Sequence, residues 1–423
     1  MFEFGKDLRK LFTQARESED LSWLELIGVD LLAAEARQQS TDAGRVSCAH
    51  PHTAWLRAAA LWREHARRTG RAESVRRALE AAADAAGAAR TRDEIALADV
   101  CKAQALLVRF DLNGGPGGLD EAMRTAPASA AGCRGQTAAQ ISAIHARLRA
   151  RSARLNDDPA ALMQAAALLD AAIHDMAGRP AGEIDELRMD RAALSLETGV
   201  IRRDANLLDQ AGRELQALVT SASPDYRPLT RARALTLCAA GLSALAALAD
   251  NAEAHAQGRV LFDAAAEQFT PDHSPLDWVV IQIVRAATPG GASLAVLRQA
   301  EALSAGQGLV LGAVARDLLV EAEVAAAYDE GDMDRLSMLE SSVRRRLSEP
   351  MSKGSELAIF PLDWAVDQIS MARIGAARAG LTGSDAGLGA LGLSEAAEVA
   401  REYGVPAIAA RAVGLLSATT VRV

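Results

Sequence analysis

Leu169-Asp170-Ala171-Ala172 is one of eight places where a large apolar residue is followed, three positions later, by a small one. The others are Leu79-Glu80-Ala81-Ala82, Leu119-Asp120-Glu121-Ala122, Leu208-Asp209-Gln210-Ala211, Phe262-Asp263-Ala264-Ala265, Leu297-Arg298-Gln299-Ala300, Leu339-Glu340-Ser341-Ser342 and Leu393-Ser394-Glu395-Ala396. Successive copies lie roughly 35 to 54 residues apart, about 45 on average, which is the period of a stacked helical hairpin. Positions i and i+3 share a helix face, so each copy pairs a bulky packing residue with a small one that admits a neighbouring backbone. A hairpin of this kind cannot cover its own apolar face, so consecutive hairpins have to shelter one another.

Composition agrees with helix-on-helix packing. Half of the 423 residues are hydrophobic, only 4% are aromatic, and roughly a fifth are alanine, the strongest helix former. Runs of Val, Ile, Thr and Tyr that would mark strands are nearly absent. The fold class expected is therefore all-α, as an α-α solenoid of about eight stacked hairpins over residues 51–423, with residues 1–50 as an N-terminal helical extension and loop. A net charge of −9 argues against broad nucleic-acid binding, which depends on neutralising phosphates with a basic surface. The basic residues are almost all arginine, with lysine only at Lys6, Lys10, Lys102 and Lys353. GC-rich bacterial coding accounts for that skew, and so would a need for guanidinium chemistry at a binding face. Cys48, Cys101, Cys133 and Cys238 are too few and too scattered for a disulfide framework. With no secretory leader pattern and no long uninterrupted apolar run, the expectation is a cytoplasmic chain without a membrane span.

The N-terminal region contains two helical patterns. Phe4, Leu8, Leu11 and Phe12 line one face of a short helix that also carries Lys6, Arg9 and Lys10, a pattern that fits docking on the first hairpin or, alternatively, a weak membrane-surface anchor. Ser22-Trp23-Leu24-Glu25 has the spacing of a capping box and predicts a helix starting near Ser22. Residues 38–53, rich in Gln, Ser, Thr, Asp, Gly, His and Pro, read as a loop. Further on, short breakers separate helical stretches, among them Gly114-Gly115-Pro116-Gly117-Gly118, Asp157-Asp158-Pro159, Ser274-Pro275 and Pro289-Gly290-Gly291.

A second repeated element is Pro275-Leu276-Asp277-Trp278, which recurs as Pro361-Leu362-Asp363-Trp364. The copies stay in register, Gln282 and Ala286 following the first Trp as Gln368 and Ala372 follow the second. Their separation is about twice the mean period, so a further unit is expected between them, over 309–348. With the turn Tyr328-Asp329-Glu330-Gly331-Asp332 ahead of Met333, these residues resemble the tetratricopeptide-repeat superfamily, in its long bacterial variety. The resemblance covers residues 55–423 loosely and is specific near 275–290 and 361–375. It implies a right-handed superhelix that binds a protein or peptide partner on its concave face. The units here are longer than the usual repeat of about 34 residues, and most first helices lack the family's Trp-to-small spacing.

Cys48, His50 and His52 have zinc-compatible donors, with His65 the nearest extra candidate, but fewer than a closed site requires. The glycine run at 114–118 lacks the Lys-Ser/Thr that follows a phosphate loop and reads as a flexible turn. Asp329, Asp332 and Asp334 lack a calcium loop's terminal glutamate and read as a helix-capping turn. No cofactor is implied. Arg147, Arg151 and Arg154 lie at helical spacing and are the candidate partner-binding residues, since guanidinium pairs with carboxylate. Arg67, Arg68, Arg71, Arg76 and Arg77 form a second cluster that reads as a solvated face. The function expected is a non-catalytic protein-binding scaffold, adaptor or regulator. The alternatives are a ligand- or peptide-sensing regulatory protein, or an all-α enzyme with a site assembled from dispersed residues.

Overall fold

In the computed structural model the described residues are 20–156, 158–288, 292–306, 309–348, 360–384 and 389–420. The N-terminal helix expected around Phe4, Leu8, Leu11 and Phe12, and the breaker Pro289-Gly290-Gly291, lie outside them. Among the described residues every regular element is a helix: one short 3-10 helix, Ser22–Leu26, and eighteen α-helices. These are α1 (Val29–Ala43), α2 (Pro51–Thr69), α3 (Ala72–Ala88), α4 (Arg92–Asn113), α5 (Pro116–Thr125), α6 (Gly135–Asn156), α7 (Pro159–Asp175), α8 (Ala181–Arg202) and α9 (Ala205–Ser221). They continue as α10 (Pro228–Ala249), α11 (Ala252–Ala266), α12 (Pro275–Ala286), α13 (Leu294–Ser304), α14 (Leu309–Asp329), α15 (Met333–Ser348), α16 (Pro361–Thr382), α17 (Ala390–Glu402) and α18 (Pro406–Thr420).

From α2 onward the even-numbered member of each pair is mostly the longer, reaching 22 residues in α4, α6, α8, α10 and α16. All eight copies of the large-to-small pattern fall on the odd-numbered members, α3 through α17. In six of them both residues are buried, for example Leu169 with Ala172, Leu208 with Ala211 and Phe262 with Ala265. The unit expected over 309–348 is the α14–α15 pair.

The chain divides into two compact units. The first holds the described residues up to Arg68, with Glu73–Leu107 and Leu119–Asp277; the second holds Thr69–Ala72, Val108–Gly118 and Trp278 onward. Within the first, each helix from α6 to α11 packs on the next, and α6–α8 and α8–α10 also touch. Caps set several boundaries: Asp158 accepts from Ala160 N at 2.9 Å ahead of Pro159, and Asp204 and Asn251 cap α9 and α11. Among the described residues one helix, Pro228–Ala249, is long and apolar enough to cross a membrane by length and composition, with hydropathy 1.6. It lies against α9 and α11, and 44% of that stretch is buried within the protein.

Within the second unit α13 to α18 pack serially, and α14–α16 and α16–α18 meet as well. Leu362, Ala365, Val366, Ile369 and Ala372 of α16 join Leu393, Ala396, Ala397 and Ala400 of α17 in one apolar cluster, with Trp364 against it. Gln368 packs onto Gly392, where a Cβ would lie 2.7 Å from the amide oxygen. The turn after Tyr328 closes as expected, with Gly331 at φ +67° and Asp332 accepting from Arg335 N at 2.9 Å.

Three local expectations need correction. A regular helix does not begin at Ser22: the 3-10 turn ends at Leu26, Ile27 is extended, and α1 starts at Val29. Ser22 bonds Asp20 through both N and Oγ, and Glu25 reaches residue 230 instead of its own turn, so the reciprocal capping is never made. Residues 38–43 are helix, not loop, because their polar side chains bond within the helix: Ser40 Oγ to Ala36 O at 2.8 Å, Gln38 Nε2 to Asp42 at 2.8 Å. The glycine run is a packed junction. Gly114 and Gly115 lie under Tyr403 with φ +69° and +84°, and Gly117 and Gly118 already belong to α5.

Gly114 takes the left-handed conformation that ends α4, and its missing side chain is what lets Tyr403 approach. A Cβ there would sit 2.7 Å from the Tyr403 carbonyl oxygen. Gly114→Ala is therefore expected to destabilise by about 1–3 kcal/mol. Gly117→Ala, with open space around it inside α5, is expected to gain up to about 1 kcal/mol. Thermal melts of the two variants against wild type, read side by side, check the pair of signs.

Candidate functional site

The arginines singled out from sequence lie in the first unit, in a polar layer between the long helices. Arg147 of α6 donates from Nε to Asp190 and from Nη1 to Glu186, both of α8 and both at 2.8 Å. Arg151 reaches the other oxygen of Asp190 at 2.8 Å, and Arg154 pairs with Glu197 at 2.6 Å. Arg147 and Arg151 are largely covered, whereas the Arg154 side chain is 48% exposed. Glu186 also receives Arg67 of α2 at 2.6 Å, and α2 contributes Glu64, held by Arg68 at 2.8 Å. Arg233 of α10 lies 3.8 Å from Glu64 and grips Asp277 at the start of α12, from Nε at 2.9 Å and Nη2 at 2.5 Å. Four long helices and the first turn of α12 thus share one chain of alternating charge.

The electrostatics follow from that pairing. Burial alone would raise Asp190, but Arg151 and Arg147 override it and hold its carboxyl at about 2. Burial likewise opposes ionisation of Glu186 and Glu64, and the arginines win there too: Arg147 and Arg67 lower the first, Arg67 and Arg68 the second. Asp277 moves the other way. Burial pushes it up to about 6, against the pull of Arg67 and the hydrogen bond from Ser274 Oγ at 2.6 Å.

Six of the cross-links keep a nearly constant step; Arg67 to Glu186, which joins α2 to α8 across 119 residues, does not. His52 to Glu94 O spans 42 residues, Arg63 to Gln104 41, Arg134 N to Asp93 41, Arg147 to Asp190 43, Arg227 to Asp185 42, and Arg233 to Asp277 44. Each joins one long helix, or the residue just before it, to the next. In the second unit α14 plays the same part: Asp317 accepts from Arg373 of α16 at 3.0 Å and from Arg411 of α18, and Arg316 pairs with Asp363 at 2.9 Å. Asp277 and Asp363, the aspartates of the two Pro-Leu-Asp-Trp copies, are thus both arginine-held, each within its own unit.

A second cluster in the first unit was not legible as a site. The segment Leu21–Gly28 lies against α2, α8, α10 and the turn before α12. Arg68, with no exposed surface, donates from Nη2 to Leu24 O and from Nη1 to Ile27 O, both at 2.8 Å. His273 Nε2 meets Glu25 O at 2.8 Å. The Glu25 carboxylate accepts from Thr230 N at 2.8 Å and Thr230 Oγ1 at 2.5 Å, so it caps α10, whose own N-cap residue, Arg227, makes no side-chain cap. Burial raises Glu25, with the Thr230 bonds and Arg227 working against it, and burial together with Arg68 lowers His273 toward its neutral form. Leu24 and Ile27 fill an apolar cluster with Leu32, Leu61 and Trp62.

The expectation that Arg68 belongs to a solvated face is therefore corrected. Its stem is enclosed by the folded segment and its N–H groups are taken by Glu64 and two carbonyls. Arg71 and Arg76 are the exposed members; Arg76 and the half-buried Arg77 both pair with Glu73, and Arg77 stacks over Trp62 at 4.7 Å. The zinc-like residues separate: His52 bonds the Glu94 carbonyl and His65 Nδ1 lies 2.8 Å from Ser74 Oγ. Among the described residues no group of three or more His, Cys, Asp or Glu could hold a metal ion. No protein-family model, no curated protein and no solved structure matches this chain.

Asp190 gives a pH test with a definite sign. Its folded pKa of about 2 lies below the ordinary 3.8, so its contribution is complete above about pH 4 and is lost as pH falls toward 2. At 1.36 kcal/mol per unit this amounts to about 2 kcal/mol. Asp190→Asn is expected to be less stable than wild type at pH 6 and to lose most of that deficit by pH 2. Melting curves across this range check it, and a deficit independent of pH would contradict it.

Proposed function

We propose that the chain is a tetratricopeptide-like α-α solenoid acting as a non-catalytic scaffold, adaptor or regulator that holds a protein or peptide partner in the cytoplasm. The observation that carries this reading is the step of 41–44 residues shared by five cross-links between successive even-numbered helices. It agrees with the roughly 45-residue spacing of the large-to-small pattern, and units repeating with one offset are what a solenoid requires. Such an array works by presenting many rigid side chains at once, which suits recognition of an extended segment.

The charged groups favour recognition over turnover. In the polar layer the carboxylates face guanidinium groups at hydrogen-bond distance, as in a structural network. Burial pushes Asp277 up to about 6, but Arg233 and Ser274 take both of its oxygens. Of the three candidate partner-binding residues, Arg147 and Arg151 would order the binding face from within. Arg154 is half-exposed and has one acidic neighbour, so it is the member placed to meet an acidic side chain of the partner.

The test is affinity capture with cross-linking from the native cytoplasm, using wild type and Arg154→Glu in parallel. The reading expects at least one protein recovered by wild type and depleted five-fold or more by the variant, with recovery falling as salt rises. Turnover of a metabolite by the purified chain, with no protein recovered, would overturn it.

A further inference from the structure

The segment Leu21–Gly28 is held in the manner of a bound peptide. A helix in a core satisfies its own carbonyls, whereas here Leu24 O, Glu25 O and Ile27 O are read by side chains from Arg68 and His273. The segment contributes little internal structure, with 3-10 bonds from Leu24 N to Leu21 O at 3.0 Å and from Ile27 N to Leu24 O at 3.3 Å. Its one acidic side chain is read at both oxygens by Thr230, with Arg227 Nε 3.8 Å away. Two apolar anchors, Leu24 and Ile27, flank that acid on either side. Beyond the turn, Val29 N donates to Asp272 O at 3.4 Å. Leu26 is exposed, so one side of the turn stays open to solvent.

We propose that Arg68, Arg227, Thr230 and His273 form a recognition cradle for a single helical turn in which a glutamate lies between two large apolar residues. The chain's own Leu21–Gly28 segment occupies that cradle, and a partner segment of the same chemistry displaces it. The proposal rests on the scaffold reading and names the partner's chemistry: an acidic, leucine-rich turn with free backbone carbonyls. The N-terminus of α10 selects the acid, since Arg68 and Arg227 already pair with Glu64 and Asp185. A turn without the acid would leave Thr230 N and Oγ1 without their carboxylate, whereas Arg68 reads backbone carbonyls that any such turn supplies. The occupying segment keeps those donors paired until a competitor arrives, which removes the penalty of an empty buried guanidinium.

The probe is a fluorescent peptide with the sequence Asp-Leu-Ser-Trp-Leu-Glu-Leu-Ile-Gly-Val, followed by anisotropy against the full-length chain and its Glu25→Ala variant. Removing the resident carboxylate weakens the segment and leaves the cradle whole. The expected result is at least ten-fold tighter peptide binding by Glu25→Ala, lost when the peptide's own glutamate becomes alanine. Glu25→Gln, which keeps the side-chain shape, is expected to give a smaller gain of the same sign. Hydrogen exchange on wild type supplies a second measurement, with amides 21–29 expected to open without α8 or α10. Equal or absent binding by the two proteins overturns the proposal, as does exchange of the segment only together with those helices. A partner captured through Arg154 but indifferent to Glu25→Ala would leave the scaffold reading standing and sink the cradle. Peptide exchange with no captured partner would do the reverse.

Discussion

A guanidinium enclosed between helices is tolerable only when its N–H groups find oxygen, and that constraint fixes how the long helices of this chain align. Arg147 can reach Asp190 and Glu186 together only if α6 and α8 lie in one register, because Nε and Nη1 have to meet carboxylates one helical turn apart. Slide α8 by a residue and both acids rotate away, leaving charge in a covered layer. Apolar residues of both helix sets supply the favourable burial, the long even-numbered helices holding the larger share, yet alanine and leucine alone would tolerate several sliding positions. The ion pairs supply uniqueness; the small residues supply proximity.

Much of the fold was open to a reader of the sequence, and the reasons are local. The large-to-small pattern depends on two residues one turn apart, so it survives without knowledge of partners, and it marks α3 through α17. The paired Pro-Leu-Asp-Trp openings are similarly local, since proline and tryptophan act within their own helix or against the next. Residues 38–43 went astray because Gln, Ser, Thr and Asp favour loops unless they bond inside a helix, and Ser40 Oγ to Ala36 O is such a bond. The glycine run misled for a different reason. Its conformations are those of a turn, but Tyr403, far along the chain, packs against it.

The cradle and the polar layer were hidden by distance in sequence. Glu25 and Thr230 are 205 residues apart, and nothing near either announces the other. Ser22-Trp23-Leu24-Glu25 even carries a competing local solution, the capping box, which the folded chain declines in favour of capping α10. The two uses of Glu25 are chemically equivalent, a carboxylate on a helix N-terminus, so local propensity could not choose between them. Packing decides: Leu24 and Ile27 can be buried only if the turn stops at Leu26 and the backbone extends through Ile27. The arginine triplet at 147, 151 and 154 was found by spacing alone, and spacing could not reveal that its first two members face a neighbouring helix of the same chain.

The near-absence of lysine acquires a structural meaning from these contacts. Arg191 of α8 joins Asp170 of α7 to Glu214 of α9 at 3.0 and 2.7 Å, tying a long helix to the short one on each side. Arg411 of α18 joins Asp317 and Glu321, and Arg68 joins one carboxylate to two carbonyls. The Arg191 and Arg68 junctions use donors that diverge in a plane at fixed angles from one side chain. An ammonium group has three donors but no fixed fork, and its stronger hydration makes enclosure costlier. Abundance alone would not explain why arginines recur where one helix meets another. In a fold whose long helices meet across a charged layer, replacing these arginines with lysine would preserve the net charge and lose the register.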